Sequence, residues 1–237
     1  MKVLDDDSLI GYRLDQRYVI HELIARGGMA SVFRATDERL DRVVAVKIMH
    51  PNNNQISDPD QFTREAKLAA RLNHRGIVSV FDQGTDGDYT YLVMEYVPGK
   101  TLRDVMREEA PMSPRRALAY LEPVLIGLAE AHASGLIHRD MKPENVLIST
   151  TGEAKVADFG LARAATVDQR TTSVLIGTVS YLAPEVITNQ AVDPRADIYA
   201  CGAIFFEMIT GRKPHVADSP IAVAHKHVAE DIPRPSS

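Results

Sequence analysis

At Pro98-Gly99 the chain changes character, and that change divides what it can fold into. Before it, stretches 18–24, 31–37, 43–49, 77–83 and 89–96 are rich in β-branched and aromatic residues. Turn-forming strings separate them: Gly27-Gly28, Asp41-Arg42, Pro51-Asn52-Asn53-Asn54 and Asp86-Gly87-Asp88. One helix interrupts these strands, capped by Asp58 or Asp60 and running to about Leu72, with Phe62, Ala66, Ala69 and Ala70 at helical spacing. After the divide, 101–109, 113–134, 194–210 and 220–228 read as helices, and Ser113-Pro114 is a favourable cap and first-turn pair. Short strands are predicted near 146–148 and 154–156. The expected fold is α+β with two lobes. Residues 1–17 form an extension, 18–97 a small antiparallel-sheet lobe with one long helix, and 98–237 a mainly helical lobe. A cleft between such lobes is a natural place for a ligand.

Composition excludes several functions. A net charge of -5 gives a nucleic-acid partner no electrostatic support. Cys201 is the only cysteine, so neither an internal disulfide nor a Cys-based zinc site is available; within the apolar run 199–206 it reads as a buried small hydrophobe. His225 and His227 lack companions at ligand spacing and are predicted to lie on a solvated helix face. Apolar runs 124–128 and 200–206 fall well short of the ~18–20 residues that span a bilayer. Asp5-Asp6-Asp7 stands where a secretory signal would need a basic start. A cytoplasmic segment without membrane contact is expected, with a longer membrane-anchored parent compatible with it.

Two strings carry chemistry: His138-Arg139-Asp140-Met141-Lys142-Pro143-Glu144-Asn145, then Asp158-Phe159-Gly160. Phosphoryl transfer needs the attacking hydroxyl positioned, the phosphates held and their charge neutralised. A carboxylate can take the hydroxyl proton; a second carboxylate and an amide oxygen suit a hard cation. Together the strings resemble the catalytic and metal-binding loops of eukaryotic-type protein kinases, closest in flavour to bacterial, actinobacterial-like serine/threonine kinases. Gly27-Gly28-Met29, Asn73-His74-Arg75-Gly76-Ile77-Val78 and Ile176-Gly177-Thr178 carry that flavour. The resemblance implies a two-lobed protein kinase fold and a transferase using ATP with Mg²⁺, or Mn²⁺ in its place. By it Asp140 orients and deprotonates the hydroxyl, Lys142 steadies the transferring phosphate, and Asn145 and Asp158 bind the metal.

The same resemblance assigns other parts. Lys47, in Val44-Ala45-Val46-Lys47, reaches the α- and β-phosphates and pairs with Glu65 on the following helix. Glu95 and Val97 offer backbone groups to the adenine edge, Met94 backs the pocket, and Val32, Ala45 and Leu147 sandwich the ring. In the glycine loop only Gly27 of the three family glycines is kept, with Gly28 beside it, while Ala25 and Ala30 replace the others. Segment 161–183 resembles an activation loop, and Gly177 and Thr178 with the following Ala183-Pro184-Glu185 resemble a peptide-docking segment. That segment favours a protein substrate over a small molecule. Phosphate on Thr171, Thr172 or Ser173 would pair with Arg139. Asp197 matches the aspartate that braces the catalytic loop. A homodimer for trans-autophosphorylation is compatible with the resemblance. Kinase domains of this type continue beyond 220–228 for several helices, one carrying an arginine for Glu185, so an incomplete helical lobe is expected. The alternative reading is a catalytically weak ATP-binding scaffold.

Overall fold

The computed structural model describes residues 6–28, 30–50, 59–159 and 179–236. Its first lobe is an antiparallel sheet of six strands: β1 (Arg13–Leu14), β2 (Tyr18–Arg26), β3 (Ala30–Asp37), β4 (Arg42–Met49), β5 (Val80–Asp86) and β6 (Tyr89–Glu95), with helix α1 (Pro59–Ala69) between β4 and β5. Their spatial order is β1-β2-β3-β4-β6-β5. Side chains alternate across a strand, and β4 shows the consequence. Val44, Val46 and Ile48 enter a core with Tyr18, Phe33, Tyr91 and Val93. Ala45, between them, faces the cleft beside Met94. Residues read as an extension also contribute, since Leu9 and Leu14 are buried in the sheet's core. Asp37, fully buried, is held by two hydrogen bonds from Arg17, 2.7 and 2.8 Å. That pairing offsets the cost of burying its charge.

The second lobe opens with β7 (Gly99–Thr101), then α2 (Leu102–Glu109) and α3 (Pro114–Ala133). Thr101 and Asp104 form a capping box at α2, and Ser113 caps α3 ahead of Pro114. Strands β8 (Val146–Ser149) and β9 (Ala154–Val156) follow and form a sheet of order β7-β8-β9. Helices α4 (Pro184–Ile187), α5 (Arg195–Thr210) and α6 (Pro220–Ala229) complete the described chain. Leu121, Val124 and Leu128 of α3 share one core with Ala200, Ala203, Ile204 and Met208 of α5. Truncating a buried leucine such as Leu128 to alanine costs ~2–5 kcal/mol. Cys201 is buried there, as composition suggested.

Two expectations are corrected. The strand predicted over 77–83 begins at Val80. Ile77 and Val78 are buried instead beside β9: Val78 donates to the Val156 carbonyl and Val156 to that of Gly76, both 2.8 Å. Backbones meet closely here, because a Cβ on Gly76 would lie 2.7 Å from the Pro123 carbonyl oxygen. An apolar β-branched pair reads as strand whether it joins the sheet or, as here, wedges between lobes. The second correction concerns His227, which is buried while His225 is exposed. Residues two apart on a helix point to different sides. The His227 ring lies 4.8 Å from that of His215, and its Nδ1 is 2.7 Å from Tyr199 Oη.

Burial, with the His215 ring adding to it, pushes the His227 imidazole down to about 4 from an ordinary 6.5. The folded state therefore resists a proton that the unfolded chain accepts. This stabilisation is present above the unfolded value and is lost as pH falls from about 6.5 towards 4. In thermal unfolding followed from about pH 7 to about pH 4, His227→Gln is expected to show a shallower loss of stability than the parent. Parallel curves would refute the assignment.

Candidate active site

The loop 138–145 is built on Asp197, in the first turn of α5 and 1% exposed. One carboxylate oxygen accepts the His138 N–H at 2.8 Å and lies 2.7 Å from His132 Nε2. The other accepts the Arg139 N–H at 2.8 Å. These bonds hold Arg139 at a φ of +63°, where a residue bearing a Cβ is strained. His138 extends the brace. Its Nδ1 accepts the Asp140 N–H at 3.2 Å, which leaves Nε2 to donate to the Ala157 carbonyl at 2.9 Å. His132 was not singled out in the sequence, because only the fold brings it within reach of a residue 65 positions away.

Asp140 meets the other loop groups. Lys142 Nζ donates to its Oδ2 at 2.8 Å, and Asn145 Nδ2 donates to its backbone carbonyl at 2.8 Å. The second bond commits the amide nitrogen to the loop and leaves the oxygen as the end suited to a cation. Asp158, with a φ of +57°, lies across from Lys47, whose Nζ is 2.9 Å from Oδ1. Burial pushes the Asp158 carboxyl up, but the charge and hydrogen bond of Lys47 outweigh it, and the carboxyl falls below its ordinary value. The expected Lys47–Glu65 pair is not formed. Glu65 Oε1 lies 3.3 Å from Arg139 Nη1.

The cleft has an apolar slot. Val32, Ala45, Met94, Val97 and Leu147 fall in one cluster with Val78, Tyr96 and Ala157, so both lobes contribute. The Glu95 N–H donates to the Ser79 carbonyl at 2.8 Å. Its carboxylate is 2.6 Å from Lys155 Nζ on β9, an ion pair across the connector that sequence reading did not find. Ala25 pairs with Val32 in the β2–β3 hairpin, and Gly27 donates to the Ala30 carbonyl at 2.9 Å near its tip. Ala30 is buried against Ala66 of α1 and Met49. Glu185 is half-buried, with no ion-pair partner among the described residues. Gly160, Thr171, Thr172, Ser173, Gly177 and Thr178 lie outside the described residues.

Among the described residues no group of three or more His, Cys, Asp or Glu side chains could hold a metal by itself, and no helix is long and apolar enough to cross a membrane. A cation at Asp158 and Asn145 would be shared with substrate oxygens. That donor set fits Mg²⁺, which binds through one or two carboxylates, waters and phosphates.

A family model described as protein kinase domain matches residues 18–234. Serine/threonine-protein kinase PknL of Mycobacterium tuberculosis is 46% identical over 235 residues, 98% of this chain and 58% of that protein. Serine/threonine-protein kinase PknB of the same species is 43% identical over 234 residues, 94% of this chain and 37% of its own length. PknB of Mycolicibacterium smegmatis is 43% identical over 235 residues, with the same coverages. The chain thus spans 58% or 37% of the length of these relatives.

Asp197→Ala is expected to leave the His138 and Arg139 N–H groups without their acceptor, at ~1–3 kcal/mol for each buried donor. Urea unfolding should show a stability loss of that order. A change below about 0.5 kcal/mol would mean that the loop holds itself.

Proposed function

Because the chain belongs to the protein kinase domain family, we propose that it transfers the γ-phosphate of ATP to serine or threonine hydroxyls of proteins. The observation that carries this reading is the braced loop. Lys142 donates to the Asp140 carboxylate and Asn145 to the Asp140 backbone carbonyl, with the Lys47–Asp158 pair across the cleft. In this reading the adenine lies in the slot of Val32, Ala45, Met94, Val97 and Leu147, with the Glu95 carbonyl and the Val97 N–H at its edge. Ala25, Gly27 and Gly28 cover the phosphates. Lys47 holds the α- and β-phosphates, and Glu65 positions Lys47. Asp140 orients the acceptor hydroxyl and takes its proton. Lys142, beside it, faces the charge of the transferring phosphoryl group. Asp158 and Asn145 Oδ1 would hold Mg²⁺, which neutralises the phosphate oxygens when bound. Gly177 and Thr178 would dock the peptide.

The exchanged ion pairs suggest how such a site is regulated. Arg139 is engaged by Glu65, and Lys47 by Asp158. A phosphate on Thr171, Thr172 or Ser173 carries more charge than one carboxylate. It would compete for Arg139 and release Glu65 towards Lys47. Dimer formation would supply the phosphate in trans.

The test is transfer of labelled phosphate from ATP and Mg²⁺ to a generic basic protein. Asp140→Asn is expected to lower transfer by about 10²–10⁴-fold with nucleotide affinity nearly unchanged. Parallel losses of rate and affinity would count against the assigned role. Lys47→Met is expected to disable transfer by misplacing the phosphates, and an unaltered rate would sink that assignment. Label at Thr171, Thr172 or Ser173 in the parent, absent from Asp140→Asn, would support self-activation.

A further inference from the structure

Glu95 is read above only through its backbone, yet its side chain is the more firmly held part of the residue. Both carboxylate oxygens are engaged. Lys155 Nζ donates to Oε1 at 2.6 Å, and the Ser79 N–H donates to Oε2 at 3.3 Å. The Glu95 N–H is committed as well, to the Ser79 carbonyl at 2.8 Å. Glu95 is the last residue of β6, so these bonds converge where the sheet lobe passes into the connector.

Lys155 is brought there by β9. It pairs with Leu147 of β8, and directly opposed residues of an antiparallel pair share a face. Leu147 belongs to the apolar slot, so Lys155 rises on the slot side and reaches the connector. On the other side Val78 donates to the Val156 carbonyl at 2.8 Å. Glu95, Ser79, Val78, Val156 and Lys155 thus close a ring that joins both lobes. The strand within it runs on to Asp158, three residues after Lys155. Glu95–Lys155 is the link in this ring that joins two side chains, which are 27% and 16% exposed.

Adenine and guanine differ at the edge that this residue would meet. Adenine presents an amino donor where guanine presents a carbonyl acceptor. A carbonyl and an N–H fixed in place suit adenine, whereas guanine would set its oxygen against the Glu95 carbonyl. Admitting guanine requires the connector backbone to turn or slide. A side chain held at both oxygens resists that movement.

We propose that Lys155 is a positioning residue that sets nucleotide specificity: by holding the Glu95 carboxylate it fixes the connector backbone so that the cleft selects ATP over GTP. This rests on the kinase reading above and deepens it.

The experiment measures dissociation constants for ATP and GTP with Mg²⁺, beside phosphate transfer from each to a generic basic protein. The readout is the GTP-to-ATP ratio of dissociation constants within each variant, which does not depend on how much of the protein is folded. A merely structural loss would weaken both nucleotides alike. The parent is expected to show a ratio of about a hundredfold or more, because guanine leaves buried groups unpaired. Lys155→Met keeps an unbranched stem and removes the charge, and its ratio should fall about fivefold or more. Lys155→Arg, whose guanidinium also pairs with a carboxylate, should retain the parent ratio. Should Lys155→Met not fold, Glu95→Gln removes the opposite charge at nearly constant shape and is expected to lower the ratio in the same direction.

A parent ratio below about fivefold would overturn the proposal. So would a folded Lys155→Met or Glu95→Gln with a ratio within about twofold of the parent, or a Lys155→Arg ratio as low as that of Lys155→Met. Transfer from ATP by a parent whose variants show unchanged ratios would sink this inference alone. Failure of the parent to bind ATP or to label any protein would remove the kinase reading and this inference with it.

Discussion

A buried carboxylate with three hydrogen-bonding neighbours organises the loop 138–145. Asp197 is almost wholly removed from water, which for a lone charge is prohibitive. It is tolerated because the His138 and Arg139 N–H groups and the His132 ring surround it, and because it lies in the first turn of α5, where the helix dipole favours an anion. The bonds work in both directions. They offset the burial of the charge, and they hold a backbone conformation at Arg139 that the loop would not keep unaided. Asp140 and Lys142 project from that fixed backbone, so the geometry of the loop is inherited from a helix that begins more than fifty residues later.

The pairs spanning the cleft are of a different kind. Lys47–Asp158 and Arg139–Glu65 join side chains that are between 14% and 37% exposed. Partly solvated ion pairs contribute little each, and screening weakens them further. Exchanging partners therefore costs little beside the energy that holds either lobe together. The Asp197 brace is the opposite case, because breaking it strands buried donors. The site thus combines a rigid loop with loosely committed charges, an arrangement in which a new anion such as a phosphate could shift the pairing without disturbing the fold.

Local features were legible in the sequence. The β-branched composition of 43–49, the cap Ser113 and the helix over 101–109 depend on residues a few positions apart, and the structure places them accordingly, with Thr101 as the cap of α2 and not its first residue. Features that depend on the return of distant chain were not. Ile77 and Val78 have strand composition, but their partner is β9, so the strand begins three residues later than expected. His227 looked solvated because nothing near it in sequence predicts His215 and Tyr199 as neighbours. Arg103 meets partners 41, 78 and 104 positions away, and no local pattern marks it. The choice of Asp158 over Glu65 as the partner of Lys47 was equally hidden. The sequence supplies all four charges, and only geometry decides their pairing.

The apolar slot shows how one strand can serve two purposes. On β4, Val44 and Val46 fill the core of the sheet, while Ala45 between them must leave room on the opposite face. A branched residue there would add methyl groups to a cluster already containing Val32, Val78, Met94 and Leu147. Well-packed sites accommodate such additions poorly. Lys47, two residues on, shares the face of Ala45 by the same alternation and so brings its ammonium to the edge of the slot. The small side chain and the charged one are thus coupled by the pleat of a single strand. A one-residue slip in register would lose both at once, and the buried face of β4 is what prevents that slip.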